Sequence, residues 1–319
     1  GSSTLKRQGA GGFKEIDDVA IAKPLVKYSI QITDGERIGE FVERAWQAAT
    51  SGYPGPVHLS LPVDIMFSSF EEDAGRDERP WVRHQTRPQR AWPEPKRLTD
   101  ILNIVENSER PVIIGGHGIW WSHSEKSLAE VGESLKIPIF NVPYHTKLLG
   151  EDCSANMGLA DFHQYHPSKM AIHEADTVIM IGGRLDNQMN FGNPPFIPKD
   201  TKLICVNGSS EELEYNFAAD EILLSHPAAF LDAMTSINRK WENWFELQTE
   251  RRKKWVEDWE NHLLKEEIED SKSNRKMHPL QLGVDIISEM NDEDWLVFDG
   301  GNTHFWNEIA VNISGWRGK

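Results

Sequence analysis

Residues 110–118 read RPVIIGGHG, and residues 175–186 read ADTVIMIGGRLD. Both stretches contain a short apolar run that is followed by a pair of glycines. Apolar runs without polar alternation are typical of strands that are buried on both faces of a parallel sheet. From residue 96 to residue 235, such runs alternate with helical periods. This alternation predicts one doubly wound α/β domain over residues 96–235, with helices on both faces of a parallel sheet.

The N-terminal residues 1–67 contain only two further units of this kind. Short strands are predicted at 29–32 and 56–62, and a helix capped by Asp34 lies between them. Residues 68–95 combine a run of charges with prolines, which indicates a linker. Because a complete α/β layer needs several such units, residues 1–67 are interpreted as the second half of a domain.

The C-terminal part follows a different pattern. Residues 236–276 are a charged helical stretch with a discontinuous tryptophan stripe. The simplest interpretation is a helix packed on its own or a neighbouring subunit, and an aromatic ligand box is the alternative. Residues 277–319 start another α/β unit, with a helix at 279–290 and a strand at 295–298. The sequence therefore predicts a central parallel-sheet domain flanked by two partial α/β domains.

Composition limits the classes of function. The chain has 319 residues and a formal net charge of −16, which argues against a general nucleic-acid or anionic-membrane surface, because both need clustered Lys and Arg. Its two cysteines, Cys153 and Cys205, form at most one bridge, which favours a reducing, cytoplasmic setting. No apolar run approaches the roughly 18 residues of a membrane span, and the first residues lack a signal peptide's apolar region. We expect a small-molecule substrate, and neither nucleic acid nor membrane as a partner.

Glycine turns and histidines carry the candidate chemistry. The turn at 115–118 follows a predicted strand, where backbone N–H groups can hold a phosphate, but it lacks the third glycine of a dinucleotide motif. It is compatible with a tight turn alone or with a nucleotide-facing loop. Arg184 either binds a phosphate or pairs with an acid such as Asp186. His163 and His166 have metal-ligand spacing, but no third ligand is visible nearby, so neither a metal site nor a catalytic set is predicted.

The order of segments resembles that of thiamine-diphosphate-dependent enzymes. GFKE (12–15) and SGYPGPVHLSLPVDI (51–65) are similar to the end of their pyrimidine-binding domain. The two glycine-ended stretches quoted first, together with FGNPP (191–195), resemble their central domain, and DGGNTHFW (299–306) resembles the opening of their diphosphate-binding domain. The resemblance runs through the chain in the family's order. It points to the group that contains acetolactate synthase, 2-hydroxyacyl-CoA lyase and oxalyl-CoA decarboxylase.

The resemblance implies a reaction that uses thiamine diphosphate and Mg²⁺ to cleave or form a C–C bond on a 2-keto acid or a 2-hydroxyacyl-CoA. It implies that residues 1–67 are the C-terminal half of a pyrimidine-binding domain, that residues 96–235 are the central Rossmann-like domain, and that residues 277–319 begin a diphosphate-binding domain. In this family the cofactor lies between two subunits, so a homodimer or homotetramer is expected.

The same resemblance suggests which residues contact cofactors. The family's catalytic glutamate is expected upstream of residue 1, and its Gly-Asp-Gly metal motif downstream of residue 319. No catalytic residue or metal ligand is therefore assigned, and residues 1–319 are expected to be inactive alone. The candidate contacts are Gly301, Asn302, Thr303 and His304 in the diphosphate-binding turn, and Gly116, Gly158, Arg184 and Asn207 in the central domain.

Three positions depart from the family's usual pattern. Lys14 stands where Gln is common, Tyr53 where flavin-containing relatives have Arg, and Asn207 where an acid commonly meets a ribose. These departures weaken the prediction of FAD and leave ADP, coenzyme A or no ligand for the central domain. Two other classes stay open. One is an NAD-dependent oxidoreductase, which needs the third glycine and the ribose-binding acid that are absent, and the other is a non-catalytic nucleotide-binding or assembly protein.

Overall fold

The computed structural model of the chain contains two compact units, Gly1–Arg90 and Ala91–Lys319. Lys14, His163 and most of the predicted linker, 70–89, lie outside the residues that it describes. For residue 264 and residues 266–273, only the backbone is described. The described residues are 2–13, 15–69, 90–142, 148–150, 152–162, 166–213, 215, 219–273, 277–291 and 293–314.

The unit Gly1–Arg90 contains a two-stranded parallel sheet. Its strands pair from Tyr28 opposite Val57 onward, within two residues of the predicted bounds. Two positions of its longest helix, Phe41 and Ala45, are buried, whereas Trp46 on the same helix is half exposed. The elements are β1 (Tyr28–Gln31), β2 (Val57–Ser60), α1 (Asp18–Ala22), α2 (Ile38–Thr50), α3 (Val63–Met66) and a 3-10 helix (Leu5–Arg7).

Helix α2 begins later than the sequence predicts. The prediction that Asp34 caps this helix is wrong, because Arg37 is the N-cap residue and its side chain makes no capping hydrogen bond. The Asp34 carboxylate instead accepts a hydrogen bond from the Glu36 N–H at 3.0 Å. Aspartate side chains readily bond the backbone two residues later, and this local turn competes with capping.

The unit Ala91–Lys319 is built on a six-stranded parallel sheet, which confirms the predicted fold class. The spatial order of the strands is β5-β4-β3-β6-β7-β8. The chain adds β4 and β5 on one side of β3 and then returns to place β6 on its other side. The strands are β3 (Pro111–Gly115), β4 (Ile139–Asn141), β5 (Asn156–Leu159), β6 (Thr177–Ile181), β7 (Lys202–Asn207) and β8 (Glu221–Leu224).

The central strands β3 and β6 are buried along their whole length. Side chains of a strand point alternately to the two faces of its sheet, so both faces are covered here. The prediction of buried strands in a doubly wound domain is confirmed. The helices of this region are α4 (Pro95–Asn107), α5 (His117–Trp121), α6 (Glu125–Leu135), α7 (His166–Glu174) and α8 (Pro227–Met234), with two 3-10 helices (Asn187–Gly192 and Ser210–Glu212).

Strands β5 and β8 and helices α5 and α8 of this region were not predicted by the sequence analysis. Strands β5 and β8 are the two edges of the sheet, and α8 follows β8. Strand β5 contains Asn156 and Gly158, and β8 begins with Glu221. An edge strand has a neighbour on one side only, so its sequence carries a weaker apolar signal than that of a central strand.

The C-terminal segment of this unit is helical. Its helices are α9 (Glu242–Ser273), α10 (Pro279–Ser288) and α11 (Asn302–Ser314). The predicted strand at 295–298 is wrong, because no strand of the described chain pairs with these residues, and Trp295 and Val297 are 69% and 85% exposed. An extended segment becomes a strand only when a neighbour supplies its ladder hydrogen bonds. Among the described residues, no helix is both long and apolar enough to cross a membrane.

Candidate functional site

The sheet reverses its order between β3 and β6, and open α/β sheets bind ligands at the carboxyl ends of strands beside such a reversal. Here the loop after β3 lies against the loop after β6. The Gly116 N–H donates to the Ile181 carbonyl at 2.8 Å, and the Gly118 N–H donates to the Gly182 carbonyl at 2.7 Å. These two N–H groups of the predicted phosphate turn therefore bond to protein.

The glycines of the two loops allow their backbones to touch. A Cβ atom on Gly116 would lie 2.3 Å from the Gly183 Cα, and one on Gly118 would lie 2.7 Å from the Gly182 Cα. Gly182 also has a φ of +66°, which side-chain-bearing residues rarely adopt. Close loop packing accounts for these glycines without a ligand, and of the two interpretations of the turn it favours the tight turn.

Arg184 leaves the end of β6 and bonds to an acid that the sequence analysis did not consider. Its Nε and Nη2 atoms donate to the two carboxylate oxygens of Glu212, which is buried. The guanidinium carbon lies 4.1 Å from the ring centre of Tyr215, which gives a cation–π contact. The prediction that Arg184 pairs with Asp186 is wrong. Its partner is Glu212, because β7 lies next to β6 and the loop after β7 brings Glu212 to the same edge of the sheet.

Asp186 has its own environment near the same edge. Its Oδ1 atom accepts a hydrogen bond from the Gln188 N–H at 3.0 Å. Burial raises the pKa of the Asp186 carboxyl above its ordinary value, and the negative charge of Asp161 acts in the same direction.

Asn207 and Gly158 lie at different parts of the sheet. The Asn207 Oδ1 atom accepts a hydrogen bond from the Ser209 N–H at 3.1 Å, so the side chain that replaces the family's acid shapes the loop after β7. Gly158 lies in edge strand β5, two strands away from β3, and its N–H donates to Asn156 Oδ1 at 3.0 Å. Gly116 and Arg184 thus follow the adjacent strands β3 and β6, and Asn207 ends the next strand, β7, whereas Gly158 stands apart.

The turn at 299–303 precedes α11 and is exposed. Gly301 has a φ of +89°, and no atom lies within 4 Å of the position that a Cβ atom on Gly300 or Gly301 would take. Asn302 and Thr303 are the first two residues of α11, and both are exposed. The first N–H groups of a helix have no partner within the helix, and the helix dipole favours anions there. The turn can therefore approach an anion closely.

His304 stands beside that turn and is largely shielded from solvent. Its ring centre lies 5.4 Å from that of Phe298, and its Nε2 atom lies 3.2 Å from the Glu308 carboxylate. Burial lowers the pKa of His304 below its ordinary value. The lowered pKa favours the neutral imidazole, which adds no positive charge to the turn.

The N-terminal unit contains a cavity of about 980 Å³. Its lining includes Ser29, Arg37 and Arg44. Both arginines bond to the carboxylate of Glu40, and the Ser29 hydroxyl lies 3.0 Å from His58 Nδ1. The Ser29 hydroxyl also lies 3.2 Å from the Val19 carbonyl. Sequence analysis did not identify these residues, although the spacing of Arg37, Glu40 and Arg44 along one helix is a recognisable signal.

Glu212 and Tyr215 are the residues that sequence analysis missed at the sheet edge. It looked for an acid directly after β7, at position 207, and found Asn207. Glu212 lies five residues later at the end of a 3-10 helix, Ser210–Glu212. The available signal was the pair of acids at 211–212 after a strand, which the sequence alone does not connect with Arg184. Among the described residues, no group of three or more His, Cys, Asp and Glu side chains is arranged to hold a metal ion.

Residues 98–234 match the protein family described as thiamine pyrophosphate enzyme, central domain. The acetolactate synthase large subunit of Lactococcus lactis subsp. lactis is 28% identical over 249 residues, which cover 77% of this chain and 42% of that protein. The 2-hydroxyacyl-CoA lyase 1 of Dictyostelium discoideum is 29% identical over 199 residues, which cover 62% of this chain and 33% of that protein.

The oxalyl-CoA decarboxylase of Escherichia coli is 26% identical over 206 residues, which cover 65% of this chain and 35% of that protein. A crystal structure of benzoylformate decarboxylase from Polynucleobacter necessarius has the same fold, with a TM-score of 0.63 and 21% identity over 75% of this chain and 44% of that one. The chain spans between 33% and 42% of the length of these three curated relatives.

Proposed function

Because the chain belongs to the superfamily of thiamine-diphosphate-dependent enzymes, we propose that the whole protein breaks or forms a C–C bond on a 2-keto acid or a 2-hydroxyacyl-CoA. Relatives named as synthase, lyase and decarboxylase support this range of reactions. The proposal covers both lyase and transferase chemistry. When bound, the thiazolium ring of thiamine diphosphate supplies the electron sink for such bond cleavage.

The exposed turn before α11 is the observation that carries this proposal. Its two glycines leave open space around the backbone, and the residues present fit a diphosphate group. Gly301 provides close backbone approach, and Asn302 and Thr303 provide an amide and a hydroxyl at the positive end of a helix of 13 residues. These side chains are neutral, so they do not repel a metal ion on the diphosphate. We propose Mg²⁺ as that ion.

The central domain is a second candidate ligand site within the same function. We propose that the edge beside β3 and β6 takes ADP, coenzyme A or FAD, because it lies at the switch point of the sheet. The stacked pair of Arg184 and Tyr215 offers a cation and an aromatic face, which suit phosphate and adenine. A thermal shift with each ligand in turn, compared between the wild type and Tyr215→Ala, identifies the ligand and tests this contact.

The chain has only two cysteines, and both are buried, which supports a reducing, cytoplasmic setting for the protein. We propose this location together with a small-molecule substrate, and fractionation of cells that express the full-length protein checks it. We propose that the local helix dipole and a bound metal ion attract an anionic substrate to the turn, against the negative charge of the whole chain.

The test of the main proposal is a cofactor titration of the full-length protein. Asn302→Ala combined with Thr303→Ala removes two side chains that bond the diphosphate. A hydrogen bond to a charged group contributes about 1.5–3 kcal/mol, so thiamine diphosphate should bind at least about tenfold more weakly at saturating Mg²⁺. Asn243→Ala, an exposed position on α9, is the matched control and should leave binding unchanged. An unchanged dissociation constant in the double variant would assign the turn a purely structural role.

A further inference from the structure

Helix α9 is fixed to the central domain over its first half. The indole N–H of Trp244 donates to the Pro111 carbonyl at 2.9 Å, at the start of central strand β3. The Arg251 guanidinium bonds to the Glu174 carboxylate at 2.9 and 3.0 Å. Arg252 donates to the Asn156 carbonyl of edge strand β5 at 2.7 Å, as the helix crosses that edge. These contacts reach three different elements, so this half of α9 has little freedom to move relative to the sheet.

One tryptophan of α9 belongs to two apolar clusters. Trp255 packs against the large core around the sheet, and it also packs against a small second core that is formed by α9, α10 and α11. This second core has Leu263, Leu280, Ile287, Ile309 and Ala310 as its buried members. Trp255 thus joins the central domain to the C-terminal helices through continuous packing.

An aromatic series continues from that tryptophan into α11. The ring centres of Trp255 and Trp259 are 6.3 Å apart, and those of Trp259 and Trp306 are 6.1 Å apart, both in edge-to-face geometry. Trp306 also meets the ring of His278 at 4.9 Å, and His278 accepts the Leu280 N–H at the start of α10. Edge-to-face rings at these separations attract each other through their quadrupoles and fix the relative orientation of the helices that carry them.

Trp306 connects this series to the diphosphate turn. It lies four residues after Asn302 in the same helix, and residues four apart lie on one face of a helix, about one turn from each other. A shift of Trp306 along or around the α11 axis therefore moves Asn302 and Thr303 with it. The positions of Asn302 and Thr303, which hold the diphosphate in the proposed function, are thus fixed relative to the central sheet through α9.

We propose that Trp259 and Trp306 are positioning residues: their edge-to-face contact holds α11 so that Asn302 and Thr303 meet the diphosphate of the cofactor. Neither tryptophan is one of the residues that we propose to contact the diphosphate. The inference rests on the proposed function of the turn. It adds that cofactor affinity depends on a contact made by the helix after the central domain, outside the binding turn itself.

The test uses Trp259→Leu, Trp306→Leu and the double variant in the full-length protein. Binding of thiamine diphosphate with Mg²⁺ is measured by calorimetry, and amide hydrogen exchange is measured across α11. We expect each single variant to raise the dissociation constant about three- to tenfold, matching the strength of one aromatic pair. The double variant should bind thiamine diphosphate about as tightly as the weaker-binding single variant, because both substitutions remove the same contact. The turnover rate at saturating cofactor should change less than the affinity.

Exchange at the first turn of α11 should rise in these variants, while exchange in β3 and β6 stays at the wild-type level. Trp306→Phe keeps an aromatic edge and disturbs folding least. It should therefore bind thiamine diphosphate with nearly the wild-type affinity. Trp92→Leu is the control, because Trp92 is 77% exposed. Wild-type affinity and wild-type exchange in Trp259→Leu and in Trp306→Leu would overturn the inference. Absence of any thiamine diphosphate binding in the wild-type protein would instead overturn the proposed function, and the exchange measurement then still tests whether α9 holds α11.

Discussion

The carboxylate of Glu212 is 3% exposed, and the guanidinium of Arg184 bonds both of its oxygens. Replacing Arg184 by Leu leaves a buried acceptor without this partner. We expect Arg184→Leu to lower the free energy of unfolding of the central domain by about 1–3 kcal/mol, the usual cost of an unsatisfied buried group. Urea unfolding followed by tryptophan fluorescence measures the change.

Two further variants serve as controls for this prediction. Arg184→Leu combined with Glu212→Leu should recover most of the lost stability, because no buried charge then remains. Lys126→Leu removes one partner of a surface pair with Glu130, in which the lysine is 90% exposed, and should change stability by less than about 1 kcal/mol. If Arg184→Leu is as stable as the wild type, solvent already satisfies the Glu212 carboxylate.

His304 allows a prediction about pH. Burial lowers the pKa of its imidazole from 6.5 in the folded chain. Below about pH 6.5, the unfolded chain therefore takes up a proton more readily than the folded chain, and the His304 contribution to stability falls as the pH falls. Proton NMR of the His304 ring should give a midpoint below 6.5. Glu308→Gln should move this midpoint lower still, because it removes a carboxylate 3.2 Å away that favours the protonated ring. A wild-type midpoint above 6.5 would show that this carboxylate outweighs burial.

At the scale of elements, the backbone contact between the loops after β3 and β6 gives a sharp prediction. Gly116→Ala places a methyl group 2.3 Å from the Gly183 Cα, and backbone on both sides leaves nothing flexible to move. Overpacking of this kind costs about 1–3 kcal/mol, so the thermal midpoint of the central domain should fall by several degrees.

Gly208→Ala is the matched substitution in a neighbouring loop. The nearest atoms to its new methyl group lie 4.0 Å away, so this variant should unfold at the wild-type temperature or slightly above it. Equal midpoints for Gly116→Ala and Gly208→Ala would mean that the two loops separate without cost. Calorimetry on both proteins provides the comparison.

Elements also show where sequence patterns succeed. Strands β3 and β6 are predicted correctly because burial on both faces makes every residue of each apolar or small. Edge strands β5 and β8 are missed because half of their pairing is absent and polar residues enter them. The segment 295–298 has the composition of a strand but lacks a neighbour among the described residues, and its side chains at 295 and 297 are exposed.

At the scale of the whole molecule, we predict a homodimer or homotetramer for the full-length protein. The N-terminal unit leaves Val42 and Trp46 on α2 half exposed, and the C-terminal helices leave Leu282 and Ile286 about half exposed. Apolar surface of this kind is commonly covered by other parts of a protein or by a second subunit. Light scattering of the full-length protein should give twice or four times the monomer mass, and a fully active monomer would contradict the prediction.

The sequence by itself determines the class of the central domain and the existence of the turn before α11. Both depend on local properties, namely apolar runs that end in glycines, and two adjacent glycines followed by short polar side chains. Such patterns also place Gly116, Arg184 and Asn207 at the ends of strands, because strand ends are visible as changes of composition.

Only the tertiary structure decides which groups meet. Arg184 bonds Glu212, 28 residues away, and not Asp186, two residues away, because β6 and β7 are neighbours in the sheet and bring their loops to one edge. The glycines after β3 allow close contact with the loop after β6, and that loop lies there because β3 and β6 are neighbours in the sheet. The physical reason is that an ion pair or a close backbone contact depends on the distance between segments in space, whereas an apolar period depends only on residues that are adjacent in the chain.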